Sequence, residues 1–80
     1  MNQYLNSNKT YIKTLYPNNW INLKYVIKIY VEYEEVDKIY YLMVKALEHS
    51  ISGEINNCDI AEFSSREEAE KVLSELVELL

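Results

Sequence analysis

The sequence predicts an α+β fold: a three- or four-stranded antiparallel β-sheet with one C-terminal amphipathic helix packed on one face. Two patterns predict it. Apolar residues recur with the period of a helix near the C-terminus, and with the period of a strand on both sides of a short acidic turn. The chain has 80 residues. We therefore expect one small domain over residues 1–80, of which residues 1–10 form a loose tail.

The C-terminal helix is predicted by an apolar stripe in the segment FSSREEAEKVLSELVELL. Its spacing is that of one face of an α-helix. Ser64 or Ser65 can cap the start, because a glutamate follows each of them by three residues, as in a capping box. Glu75 and Glu78 lie near the negative end of the helix dipole, where they do not stabilise the helix. The stripe consists of Ala69, Val72, Leu73, Leu76, Val77 and Leu80.

Two strands are predicted from Leu23 to Tyr33 and from Ile39 to Leu47, because apolar residues alternate with a period of two in both segments. We expect a hairpin whose turn is centred on Val36 and Asp37. A slip of one residue would move half of these apolar residues to the opposite face. The predicted register pairs Tyr33 with Tyr40, Val31 with Leu42, Ile29 with Val44 and Ile27 with Ala46.

The two ends of the sheet are less strongly patterned. A third strand is predicted from Cys58 to Phe63, after a loop that holds the single glycine, Gly53. The segment TYIKTLY is rich in strand-forming residues, so we expect a short edge strand there. The turn signal that starts at Pro17 would join it to the first strand of the hairpin. A helix over the same N-terminal residues remains the alternative.

Charge is distributed unevenly along the chain, whose net charge is −5. Residues 1–31 contain four lysines and no acid, whereas residues 32–80 contain thirteen acids and four cations, a balance of 4 − 13 = −9. Such asymmetry suggests a charged partner. Rows of carboxylates can imitate a nucleic-acid backbone, so we expect the helix to occupy a basic groove of a protein target. The candidate residues are Glu67, Glu70, Glu75 and Glu78, and a merely solvated helix exterior is the alternative.

The second side of the hairpin is more apolar than a solvated face needs to be. We expect a partner or a second copy of the chain to cover it, unless the N-terminal segment does so. Lysines beside tyrosines on this face also suggest single-stranded nucleic acid, although the negative net charge opposes that partner. The dimer or partner face is predicted to comprise Val26, Tyr30, Tyr41, Met43 and Leu47, and the nucleic-acid alternative adds Lys24, Lys28 and Lys45.

Catalytic patterns are not found in the sequence, and we expect neither an enzyme nor a bound cofactor or metal. His49 and Cys58 are the single histidine and the single cysteine, and they do not by themselves indicate a nucleophilic pair. The acidic cluster between Glu32 and Asp37 lacks the spacing and the glycine of a calcium loop. An unpaired cysteine and the lack of a long apolar segment predict a cytoplasmic protein that does not contact a membrane.

The chain resembles, by type, the small inhibitors that phages and mobile elements encode, including anti-CRISPR proteins. The resemblance is carried by small size, acidity, scarcity of glycine and the lack of catalytic residues rather than by a motif. It implies an inhibitory, non-enzymatic function, and it assigns no role to any individual residue.

Overall fold

The computed structural model describes residues 3–15, 18–47 and 55–79. It has the predicted α+β fold, with a two-stranded sheet, a three-stranded antiparallel sheet in the order β3-β4-β5, and one C-terminal helix packed on the larger sheet. The elements in chain order are β1 (Tyr11–Thr14), β2 (Asn19–Asn22), a short 3-10 helix (Leu23–Tyr25), β3 (Val26–Glu34), β4 (Ile39–Leu47), β5 (Ile55–Phe63) and α1 (Arg66–Leu79).

The β3–β4 hairpin has the predicted register over most of its length. Val31 pairs with Leu42 and Ile29 with Val44, and the rings of Tyr33 and Tyr40 lie 4.6 Å apart. The prediction is wrong at the far end, where a β-bulge lies between Val26 and Lys28. Ile27 is therefore left without a partner in the register, and Val26 pairs with Ala46 in its place.

The hairpin turn forms without the Asn-Gly pair that favours tight turns. Lys38 takes the left-handed conformation that closes the loop, with φ of 55°. The Glu34 carboxylate accepts hydrogen bonds from the backbone N–H groups of Val36 and Asp37, at 3.1 and 2.6 Å. These two bonds stabilise the carboxylate form, which lowers the pKa of Glu34.

Strand β5 begins at Ile55, three residues before the predicted start at Cys58. It also contains a bulge: Met43 pairs with Asp59 and Leu42 with Ala61, so Ile60 is the extra residue. The bulge allows two adjacent apolar residues to face the core, and both Ile60 and Ala61 are buried.

The N-terminal residues form a hairpin rather than an edge strand of the main sheet. The predicted strand is present as β1, but it pairs with β2, which the sequence pattern did not indicate. The expected loose tail also differs from the structure over the described residues from 3 onward. Leu5 forms a bridge with Ile12, and the two are 5% and 0% exposed. The backbone N–H of Leu15 donates to the carbonyl of Asp59, 2.6 Å away, which attaches β1 to the edge of β5.

Helix α1 starts where the capping pattern predicts. The Ser65 hydroxyl oxygen accepts a hydrogen bond from the backbone N–H of Glu68 at 3.2 Å, which makes Ser65 the N-cap residue. Ala69 and Leu76 are fully buried, but Val77, which belongs to the predicted stripe, is 58% exposed. Leu80 lies outside the described residues. The core that the helix covers consists of Leu5, Ile12, Leu42, Val44, Cys58, Ile60, Ala61 and Leu76.

Candidate interaction surfaces

One face of the three-stranded sheet is covered by both the helix and the N-terminal segment. Leu5, Ile12 and Leu76 belong to a single buried cluster with Leu42 and Val44 of the central strand. Side chains alternate between the two faces of a strand, so the residues between those core positions point to the other side. Within the described ranges, the N-terminal segment therefore packs on the helix side of the sheet and leaves the opposite side, the open sheet face, uncovered.

Strand pairing arranges the open sheet face in three rows that cross the strands. The basic row has two lysines, the central row has the most apolar character, and the acidic row has two glutamates. The rows are Lys28, Lys45 and Asn57; Tyr30, Met43 and Asp59; and Glu32, Tyr41 and Glu62, with one residue each from β3, β4 and β5.

The ring of Tyr30 covers the centre of the open sheet face. Its hydroxyl donates a 3.0 Å hydrogen bond to the Asn57 side-chain oxygen, two strands away. The ring therefore extends across β4, and Met43 in the middle strand is only 7% exposed. The Lys28 ammonium lies 4.8 Å from the centre of the same ring, within range of a cation–π contact. Burial, and secondarily the carboxylates of Glu32 and Asp59, raise the pKa of Tyr30.

The carboxylate of Asp59 lies in an unfavourable place. It occupies the central row beside Met43, and burial raises its pKa above the ordinary value for an aspartate. Burial also raises the pKa of Tyr41, and the nearby carboxylates, Glu62 first among them, act in the same direction. The face thus concentrates negative charge at one end and positive charge at the other.

The structure keeps most, but not all, of the predicted partner face together. Tyr30, Tyr41 and Met43 share the central and acidic rows. Leu47 extends the same side of β4 beyond Lys45, and it is 43% exposed. Val26 does not join them, because the bulge turns it to the other side, where it packs against the core.

The nucleic-acid alternative loses one of its lysines. Lys24 belongs to the 3-10 helix before β3, and its ammonium lies 5.1 Å from the ring of Tyr25 rather than on the open sheet face. Lys28 and Lys45 remain on the face, but the acidic row lies four residues along the strands from them.

All four predicted glutamates of the helix are exposed. At about 100° per residue, Glu67 and Glu78 lie within about 20° of each other on the side opposite the buried Leu76. Glu70 and Glu75 lie about 70° to either side of their midpoint. The four carboxylates therefore span about 140° of the outer side of α1. We call them the acidic helix surface.

Acidic residues continue from the start of the helix onto the β3–β4 turn. The Arg66 guanidinium lies 5.7 Å from the ring of Tyr40, which places the first turn of α1 over the turn end of the hairpin. Glu35 and Asp37 are exposed in that turn. Cations also occur in these segments, so the surface is not uniformly negative: they are Lys38, Arg66 and Lys71.

A groove between the β2 hairpin and the ends of β4 and β5 was not predicted from the sequence. Trp20, which is 44% exposed, lies on its wall with the Lys13 ammonium 5.2 Å from its ring. The acid-free first third of the chain, where lysines are interleaved with aromatic residues, marks this segment as unusual but does not indicate the groove. The other lining residues include Tyr11, Tyr25, Asn22, Asn56 and Leu47.

The structure does not test whether Cys58 pairs with His49. Cys58 is buried among core residues, and burial raises the pKa of its thiol. His49 lies outside the described residues. Over residues 3–15, 18–47 and 55–79, no three His, Cys, Asp or Glu side chains come together as a metal site requires. No helix in these ranges is long and apolar enough to cross a membrane.

Comparison with protein-family models, with curated proteins and with solved structures gives no match for this chain. Inference about its function therefore rests on the geometry and charge of the described residues.

Proposed function

We propose that this chain is a non-enzymatic binding protein whose acidic helix surface occupies a basic, nucleic-acid-binding groove of a protein target and thereby inhibits it. The observation that carries the proposal is the exposure of Glu67, Glu70, Glu75 and Glu78 around the outer half of α1. Glu75 and Glu78 do not stabilise the helix, because they lie near its negative end, and the last turn contains no basic residue.

The distribution of the four carboxylates favours a concave partner. Glu70 and Glu75 are separated by about 140° around the helix axis, so a flat surface cannot contact both. A groove that receives the helix along its length contacts the two side positions as well as Glu67 and Glu78. Grooves that bind nucleic acid have this concave shape and are lined with Lys and Arg.

Binding of this kind depends on ionic strength. Exposed charges are screened beyond about 8 Å at physiological salt, so affinity should fall as salt is added. The groove would also release the anions that its cations attract, which strengthens binding at low salt. Lys71 lies among the four glutamates on the outer half of the helix and opposes the interaction.

The most specific form of the proposal is an anti-defence inhibitor of a nucleic-acid-binding enzyme, of the anti-CRISPR type. Small size, an excess of acids and an acidic helix exterior support it. Such an inhibitor should compete directly with nucleic acid, because both ligands present rows of negative charge to the same groove.

The test is a competition experiment. Proteins from the source cell are captured on the immobilised chain, and each candidate is purified with its labelled nucleic acid. Displacement is then followed by fluorescence anisotropy. We expect displacement by the unmodified chain, and loss of it in the triple variant Glu70→Lys, Glu75→Lys, Glu78→Lys. Circular dichroism should show an unchanged fold, because all three side chains are exposed.

The matched control is Lys71→Glu, which lengthens the acidic row on the same helix. It should increase the apparent affinity for the target and steepen the dependence on salt. Equal displacement by the unmodified chain, the triple variant and the control would rule out the acidic helix surface as the binding element.

A further inference from the structure

The open sheet face carries an arrangement of charge that fits itself. We propose that this face binds a second copy of the chain, sheet against sheet, about a two-fold axis that crosses the strands over the central row. The proposal goes beyond the acidic helix surface, because the helix lies on the other side of the sheet and remains accessible in such a dimer.

The order of the rows selects the direction of the axis. Two identical faces can stack about a two-fold axis that runs along the strands or across them. If the axis ran along the strands, the basic row would face the basic row of the second copy, and the acidic row would face the acidic row. An axis across the strands exchanges the two ends, so each basic row lies on an acidic row. Opposite charges then meet, which favours the second arrangement.

Charged contacts then form at two places on each side of the axis. On β3, Lys28 faces Glu32 of the second copy. On β5, Asn57 faces Glu62 of the second copy. The Asn57 oxygen already accepts the hydrogen bond of Tyr30, so its amide N–H groups are directed elsewhere and can donate to that carboxylate.

The central strand β4 contributes a symmetrical pattern around Met43. Lys45 faces Tyr41 of the second copy, where a cation can lie over a ring. At the ends of the strand Leu47 faces Ile39 of the second copy, and both are apolar. The Tyr30 ring, which extends over Met43, meets its own copy at the axis. The face thus complements itself in three ways: opposite charges meet, Lys45 meets the ring of Tyr41, and the apolar ends of β4 meet. This self-complementarity identifies a second copy, rather than an unrelated protein, as the partner.

The size of the face sets the expected strength. Three strands at about 4.8 Å spacing and nine residues at about 3.4 Å per residue give roughly 400 Å² of sheet surface. Stable complexes bury about 800 Å² on each partner. The dimer should therefore be weaker than such complexes.

One contact opposes the association. Asp59 lies in the central row and therefore approaches its own copy across the axis. Two like charges at this position repel each other. Asp59→Asn removes the repulsion without disturbing the backbone bond from Leu15, which uses the carbonyl oxygen of residue 59. This variant should form the tighter dimer.

Analytical ultracentrifugation from about 5 µM to about 1 mM, a range that includes weak dimers, tests the proposal. We expect Lys28→Glu and Glu32→Lys to raise the dissociation constant at least about tenfold each, because each creates like-charge contacts on both sides of the axis. The double variant Lys28→Glu, Glu32→Lys should return to within about threefold of the unmodified chain, because it exchanges the two charges. Asp59→Asn should lower the constant.

Two controls carry the same charge changes on the helix. Lys71→Glu matches Lys28→Glu, and Glu70→Lys matches Glu32→Lys, but both positions lie away from the open sheet face. They should leave dimerisation unchanged, although both alter the proposed groove binding. The two proposals can therefore fail separately.

Amide chemical shifts of the unmodified chain give an independent measurement that needs no variant. Between low and high concentration they should move at Tyr30, Tyr41 and Met43 and stay constant along α1. A monomer at about 1 mM, where dimers of ordinary affinity form, overturns the proposal. So does a dimer that the double variant does not rescue, or one whose shifts move on the helix instead.

Discussion

Asp59 shows how a single side chain can act against stability, and in the proposed dimer it would also act against association. Its backbone carbonyl holds the N-terminal hairpin on the edge of β5, which fixes the position of the residue. Its carboxylate must then share the central row with Met43, and burial there raises its pKa above 3.8. An aspartate with a raised pKa in the folded state binds its proton more tightly there than in the unfolded chain.

The sign of the resulting pH dependence follows from that difference. The favourable contribution of protonated Asp59 is complete below its unfolded pKa, near 3.8, and is lost as the pH rises through the higher folded value. Asp59→Asn carries no such loss. We therefore expect the free energy of unfolding of Asp59→Asn, relative to that of the unmodified chain, to increase as the pH rises from 3 to 7.

Urea titrations of both proteins at the two pH values measure this gain, at a concentration where each is monomeric. The matched control is Glu62→Gln, which removes an exposed carboxylate from the same strand. Between pH 3 and pH 7 the relative free energy of unfolding should increase less for Glu62→Gln than for Asp59→Asn, because solvent reaches the Glu62 side chain. If the free energies of unfolding of Asp59→Asn and the unmodified chain differed by the same amount at pH 3 and pH 7, the unfavourable placement of the Asp59 carboxylate would be contradicted.

At the scale of the element, the start of α1 offers a discriminating pair of serines. The sequence allows either Ser64 or Ser65 to cap the helix, and the structure assigns the cap to Ser65. We expect Ser65→Ala to lower the free energy of unfolding by about 0.5–2 kcal/mol, because an N-terminal N–H loses its acceptor. Ser64→Ala is the control, with an expected change within about 0.5 kcal/mol. Thermal or urea unfolding measures both, and similar losses at the two positions would refute the assignment.

The strands show which features a period of two can predict. Ile29, Val31, Tyr33 and Tyr40 share one phase of the alternation, so this part of the pairing could be predicted from the sequence. Both bulges occur where two apolar residues are adjacent, at Val26 with Ile27 and at Ile60 with Ala61. Either residue of such a pair can face the core, so the pattern does not show where the phase changes.

The same limit applies to the candidate surfaces. The prediction that Tyr30, Tyr41 and Met43 share one face is correct because the β3–β4 pairing is regular from Lys28 to Glu34, whereas Val26 lies before the bulge. The acidic helix surface follows directly from the period of α1. The position of Trp20 could not be predicted, because it depends on a contact between β2 and distant strands that no local pattern encodes.

At the scale of the whole molecule, the N-terminal hairpin and the C-terminal helix stabilise each other. A chain of 80 residues buries only about 60–65% of its unfolded surface, so its margin of stability is small. Leu5 and Ile12 lie in the same buried cluster as Leu76 of α1. The two ends of the chain thus share one core, and we expect the hairpin and the helix to unfold together.

Ile12→Ala tests this directly. The side chain is fully buried, so its truncation should lower the free energy of unfolding by about 2–5 kcal/mol. Trp20, the single tryptophan, reports on β2 by fluorescence, while far-UV circular dichroism reports on α1. In urea the two signals should change at the same denaturant concentration, which moves downward in the variant for both.

The control is Val36→Ala, since Val36 is 86% exposed in the hairpin turn and its truncation should change stability by no more than about 0.5 kcal/mol. If Ile12→Ala leaves too little folded protein to titrate, Ile12→Val should give a loss of about 0.5–1.5 kcal/mol. A fluorescence transition that shifts while the circular dichroism transition stays in place would show that the hairpin folds separately from the helix. Coincident shifts are expected, because a core shared by both ends of the chain cannot lose one side without weakening the other.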